Sequence, residues 1–259
     1  MSERQWYKNQ ELSAGYIRLR LLYIVYRLLG PYVLKAVVVP VTFMSFLFAR
    51  SQRAASRDYF NRLYSYTGNE KYKPSLFKTF RHFLSFSFSL VDRLQAWSGK
   101  LDYSKVNILD KSINDRILKQ ISEAKGAFIL STHLGNIEMF RGIGDFYKIG
   151  INVFIDIRHT EEFNRFLKDI NPHFTMNVYP STEVGIHSAI LMKEKIDQGE
   201  LVVMAADRLP STNDKSIEAS FLGEKIHLPL GVFKFASLME CEIYSFFLCK
   251  NKGVYDTYI

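Results

Sequence analysis

GAFILSTHLGNIEMF, residues 126–140, opens as a short apolar run and breaks at once into a polar stretch holding His133, Gly135, Asn136 and Glu138. The run GAFILS has the length of a buried strand and lacks the extent of a buried helix. Three runs of the same kind follow: NVFIDI at 152–157, LVVMAA at 201–206 and IYSFFLC at 243–249. Helical stretches around 137–147, 161–170, 183–198 and 232–239 separate them. Strands that are apolar along their whole length and alternate with helices predict an α/β fold, a mainly parallel sheet flanked by helices.

In such a sheet a ligand sits beyond the carboxyl ends of the strands, so the residues just after each strand are the first candidates for chemistry. Those residues are Thr132 and His133, then Arg158 and His159, then Asp207 and Arg208. His133 and Glu138 stand five apart, and on one continuous helix they would point away from each other. Gly135 permits a turn between them, and Asn136 is a good N-cap for the helix that follows. Glu138 in the first turn would be favoured as an anion and would accept a hydrogen bond from one ring nitrogen of His133. The other nitrogen would then take a proton from an attacking hydroxyl or amine. The plainer alternative is a capped helix beside a partly buried histidine, since a His-x4-Glu spacing by itself is common.

Outward from this core the composition changes. From Leu12 to Arg57 no acidic residue occurs, while Arg18, Arg20, Arg27, Lys35, Arg50, Arg53 and Arg57 punctuate an apolar stretch. The uncharged run AVVVPVTFMSFLFA (36–49) is shorter than the roughly 20 residues of a spanning helix, and extending it back to Pro31 reaches that length. Two arrangements fit: an interfacial or re-entrant helical pair broken near Pro31 and Pro40, or one spanning helix flanked by arginines. A buried helix of a soluble domain is the third possibility. FKTFRHFLSFSFSLVDRL (77–94) reads as a helix of packing residues.

The net charge of +8 and the pI near 9.3 call for an anionic partner. Basic residues among so much aliphatic surface suit an anionic membrane better than nucleic acid, which is not expected as a partner. Cys241 and Cys249 form no metal or disulfide pattern, so no metal and no cofactor are expected, and the opening MSERQWYKNQELS is not a secretory signal. These features divide the chain into a helical membrane-associating segment, 1–100, and an α/β domain, 101–259.

Taken in order, ARSQRAASRDYFNRL (49–63), ILSTHLGNIE (129–138), IRHTEEFN (157–164), AADRLP (205–210) and SFLGEKIHLPLGVFKFA (220–236) resemble the lysophospholipid acyltransferase superfamily. The likeness is to the group with the late acyltransferases of lipid A synthesis (LpxL/HtrB type), in its predicted-acyltransferase branch. That resemblance implies a glycerol-3-phosphate acyltransferase-like fold and transfer of a fatty acyl group from acyl carrier protein, or coenzyme A, to a hydroxyl or amine of a lipid or glycolipid. The reaction would take place at the cytoplasmic face of the inner membrane. His133 and Glu138 match the family's His-x4-Asp/Glu catalytic pair. Arg158 and Asn164 resemble its second block, Asp207 and Arg208 its third, and Phe221 and Gly223 the block after it, all expected to bind substrate. Arg158 and Arg208 would hold a phosphate or the thioester oxyanion, or else form surface ion pairs. Phe221 to Gly223 reads as a strand entering a tight turn, at the border of an acyl groove or simply in a hairpin. Family members continue beyond Ile259 with a further helical segment. Ester or thioester hydrolysis with the same pair, and a catalytically inactive membrane-binding protein, are the competing functions.

Overall fold

The computed structural model describes residues 16–100, 102–136, 147–155, 160–171, 176–209 and 215–259. Two compact units divide the chain: Met1–Leu94 together with Glu218–His227, and Gln95–Ile217 together with Leu228–Ile259.

The second unit holds a five-stranded, all-parallel sheet in the order β4-β3-β5-β2-β8, from β2 (Ala127–Ser131), β3 (Ile151–Ile155), β4 (Met176–Pro180), β5 (Leu201–Ala205) and β8 (Ile243–Ser245). Helices α4 (Lys111–Ser122), α5 (Thr160–Ile170), α6 (Ile186–Asp197) and α7 (Leu230–Ser237) complete the α/β pattern. The central strands β2, β3 and β5 are buried on both faces, so their successive residues alternate between two cores. Ala127, Ile129, Ile151, Leu201 and Val203 pack with Ala96, Phe246, Leu248 and Tyr255. Phe128, Phe154, Val202 and Met204 pack with Met192 and Ile196 of α6 and Val232, Phe235 and Ala236 of α7. Asn152 is the polar exception in β3: fully buried, it donates to Glu200 Oε2 at 2.8 Å, and Lys195 holds the other Glu200 oxygen at 3.0 Å. This network lies toward the amino ends of the strands, away from the end where ligands bind.

The run 243–249 does not remain one strand. The Phe246 N–H still bonds to Leu130 O at 3.3 Å, but from Phe247 the chain pairs elsewhere, as β9 (Phe247–Asn251) antiparallel to β10 (Val254–Tyr258). The Lys252–Gly253 turn, with positive φ at both residues, supplies a neighbouring partner that the parallel sheet cannot. Strand β1 (Val106–Ile108) adds parallel to β10, giving a three-stranded sheet β1-β10-β9.

The first unit contains α1 (Tyr16–Phe48), α2 (Arg50–Thr67), α3 (Leu76–Trp97), whose last turn belongs to the other unit, and most of a hairpin formed by β6 (Ser216–Phe221) and β7 (Glu224–Pro229). Helix α1 is long and apolar enough to cross a membrane by length and composition. It breaks at Gly30 (φ 76°, ψ 171°), the residue before Pro31, because a residue preceding proline is pushed out of helical geometry and glycine tolerates positive φ. Pro40, the second break expected from sequence, sits inside continuing helix. Beyond the break α1 packs antiparallel on α3: Lys35 Nζ meets Asp92 Oδ1 at 2.6 Å, Thr42 donates to Ser87 Oγ at 2.8 Å, and Phe46 stacks edge-on against Phe80 and Phe83. Arg53 donates to the carbonyls of Phe46 and Leu47, capping the end of α1. Helix α2 stops at Gly68 in the left-handed conformation.

Asp92 is almost fully buried, so removing Lys35 takes a positive charge at 2.6 Å away from a carboxylate that water barely reaches. Lys35→Met should cost about 3 kcal/mol in denaturant unfolding in detergent, while Lys35→Met with Asp92→Leu should recover most of that loss. A single variant as stable as the parent would show that the pair does not hold α1 to α3.

Candidate functional site

The site is built by the way β2 ends. Its neighbours grip it from both sides: Ala206 N–H, just past β5, bonds to Ser131 O at 2.9 Å, and Ser131 Oγ donates to Phe246 O at 3.1 Å. The register pairs Ser131 with Ala205, so two residues further on His133 and Asp207 emerge side by side from the carboxyl ends of adjacent parallel strands. His133 donates its backbone N–H to Asp207 Oδ2 at 3.0 Å, and its ring Nδ1 lies 3.0 Å from Asp207 Oδ1 and 3.2 Å from Oδ2. One carboxylate thus fixes both the main chain and the ring.

Beyond His133 the chain turns sharply. Leu134 N–H bonds to Thr132 Oγ1 at 3.1 Å, Gly135 takes φ +78°, and Asn136 N–H bonds to Leu248 O at 2.9 Å. A Cβ on Gly135 would lie 2.2 Å from Leu248 O. Glycine is required here twice, for its torsion and for the close approach of β9.

Burial raises the pKa of Asp207, but the hydrogen bonds from the His133 ring and backbone more than offset it, so the carboxyl titrates below the ordinary 3.8. An acceptor-only carboxylate at Nδ1 sets the tautomer with the proton on Nδ1 and leaves Nε2 with its lone pair. The His133 side chain is 44% exposed and that of Asp207 29%, so the ring is open to an incoming group. Such a pair can accept a proton at Nε2 and stabilise the resulting imidazolium.

Of the residues expected from sequence, His133 and Asp207 are brought together, and Arg208 follows directly, half-buried. Glu138 and Arg158 lie outside the described residues, and so does the proposed contact between Glu138 and His133. Asn164 is placed on α5 by its backbone alone. Phe221 and Gly223 belong to the other unit. Phe221 is exposed at the end of β6, and Gly223 (φ +78°) turns the hairpin with Leu222 (φ 51°), a Cβ there lying 3.5 Å from the Tyr66 ring. The resemblance implies a substrate ligand at Asp207; its contact with His133 follows from β2 and β5 being neighbours and each ending two residues earlier. Among the described residues no cluster of His, Cys, Asp and Glu could hold a metal ion.

No protein-family model matches the chain, and no curated protein matches it.

Because the Asp207 pKa is depressed on folding, the stability from this contact is present above the ordinary aspartate value and lost as pH falls through the lowered one. The stability that Asp207→Asn removes should therefore be present above the ordinary aspartate value and vanish as pH falls through the lowered one; a gap between parent and variant that persists once the carboxyl is protonated contradicts the assignment. Gly135→Ala should lower stability by at least about 2 kcal/mol in thermal unfolding, since backbone must move to admit the methyl group.

Proposed function

We propose that this chain is a membrane-associated acyltransferase that moves a fatty acyl group from an acyl carrier protein or coenzyme A thioester to a hydroxyl or amine of a lipid or glycolipid acceptor. The observation that carries the reading is the Asp207 carboxylate at Nδ1 of a solvent-open His133, at the carboxyl ends of parallel strands. Nε2 takes the acceptor's proton as its oxygen or nitrogen attacks the thioester carbonyl. The tetrahedral intermediate then expels the thiolate, which takes up the acceptor's proton from the imidazolium and leaves as the thiol. The reaction needs no protein nucleophile and no cofactor beyond the thioester substrate.

The ordered blocks shared with the lysophospholipid acyltransferase superfamily support the same reaction and extend it to further residues. Glu138 takes the carboxylate position of the His-x4-Glu motif, Arg158 and Arg208 the charge of the oxyanion or of a phosphate, and Asn164, Phe221 and Gly223 substrate contacts. The long apolar α1, with basic residues along and beyond it, suits the cytoplasmic face of an inner membrane carrying anionic lipid.

His133→Ala should lower acyl transfer by ~10²- to 10⁴-fold while leaving vesicle binding unchanged. Asp207→Asn should bring a comparable loss, because an amide at Nδ1 no longer selects the useful tautomer. The assay follows radiolabelled acyl thioester into lipid product. Normal turnover by His133→Ala ends the proposal, and free acid as the sole product in the presence of acceptor lipids assigns hydrolysis instead. Comparing Asp207→Asn with Glu138→Gln identifies which carboxylate orients the ring.

A further inference from the structure

Four consecutive backbone amides run from His133 to Asn136, and the fold uses three of them. His133 N–H goes to Asp207 Oδ2, Leu134 N–H to Thr132 Oγ1 and Asn136 N–H to Leu248 O. The Gly135 N–H has no acceptor among the described residues, and the residue is exposed.

Its direction follows from the pairing around it. Gly135 and Leu248 form an isolated parallel bridge. In such a bridge one residue bonds through its own N–H and C=O to the two residues flanking its partner. Here that residue is Leu248, since its carbonyl takes the Asn136 N–H, so the backbone groups of Gly135 face away from β9. The strand before the turn shows which side that is. Leu130 O receives the Phe246 N–H on the β8 side, whereas Ser131 O receives the Ala206 N–H and His133 N–H reaches Asp207 on the β5 side. Gly135 comes next in the second series, two residues beyond His133, on the side where Asp207 holds Nδ1 of the ring. No side chain covers its amide.

We propose that the Gly135 N–H is the oxyanion donor of the acyl-transfer site. This rests on the acyltransferase reading. The acceptor's oxygen or nitrogen forms its bond to the thioester carbonyl carbon and gives its proton to Nε2 of His133. The π pair of the C=O bond moves onto the carbonyl oxygen, and Gly135 donates to the anion so formed. When the C=O bond closes again, the C–S bond breaks and its electron pair leaves with sulfur, which takes the proton from the imidazolium. The donor is held in place before the charge appears, because the amides on either side of it are pinned to Thr132 and Leu248. A preorganised N–H binds the anion more strongly than the neutral carbonyl, so its contribution falls on kcat and not on KM.

The test replaces that N–H by oxygen in the full chain. Suppression of an amber codon at position 135 with glycolic acid makes the link from Leu134 an ester and adds no side chain. Acyl-transfer kcat should fall about 10²-fold with KM nearly unchanged. The pH midpoint of kcat should not move, since His133 and Asp207 are intact, and the thermal midpoint should stay close to that of the parent, since the N–H has no acceptor in the fold. A kcat within about threefold of the parent overturns the assignment. A second measurement does not depend on turnover or on the stability of the ester protein. The parent, labelled with [15N]glycine, is titrated in detergent micelles with dodecylphosphonate, a tetrahedral anion on an acyl-length chain. The Gly135 amide resonance, identified by its absence from the ester protein, should move downfield further than those of the other glycines. A Gly135 resonance that stays in place overturns the assignment even if the ester protein is impaired. A parent that turns over no acyl thioester removes the acyltransferase reading itself, a result separate from the titration.

Discussion

The arrangement at the end of β2 governs the rest of the site. A parallel strand held by β5 on one side and β8 on the other has no freedom of register, and slipping it by one residue would exchange its two cores, placing Phe128 where Ile129 packs. The ladder continues past the strand through Ala206 to Ser131, which carries the register out to His133 and Asp207. The ring is therefore aimed by sheet geometry and not by a flexible loop. Leu248 completes the constraint, since its carbonyl receives the Asn136 N–H and lies so near Gly135 that the chain can leave His133 by one route only.

Most of the parallel sheet was legible from sequence because β2, β3 and β5, buried on both faces, are continuous apolar runs between helical stretches; β4, with Asn177 exposed and its later residues half-buried, gives no such run. What could not be read is which strands are neighbours. GAFILS and LVVMAA are separated by 69 residues of sequence and two intervening strands, yet they are adjacent in the sheet. Without that adjacency Asp207 is only a polar residue after a strand, and the nearest carboxylate in sequence, Glu138, is the natural partner to assign to His133. Short strands escaped for a related reason. Val106–Ile108 has too few residues for a period, and the IYSFFLC run gives no sign that pairing changes sheets at Phe246, because both environments are apolar.

In the helical unit the polar residues inside apolar stretches mark packing. Lys35 interrupts an uncharged run because Asp92 of α3 stands opposite, and Thr42 because Ser87 does. Ser56 is buried on α2 where it meets His82 Nδ1 at 2.8 Å, and burial lowers the His82 pKa. Sequence showed these groups as punctuation of a hydrophobic segment. Only the partners on other helices explain why each tolerates its place, since a buried polar group without one costs more than the hydrophobic residue it displaces.

Two of the carboxylates that face a cationic or basic side chain, Asp92 and Asp207, lie in surroundings that suit different tasks. Asp92 is almost wholly withdrawn from water and Lys35 three-quarters so, which suits a fixed bond between helices. Asp207 and His133 retain solvent access. There the carboxylate holds Nδ1 and the backbone of His133 together, and Nε2 keeps its lone pair. Partial exposure weakens the pair as a source of stability, and it leaves the ring within reach of solvent.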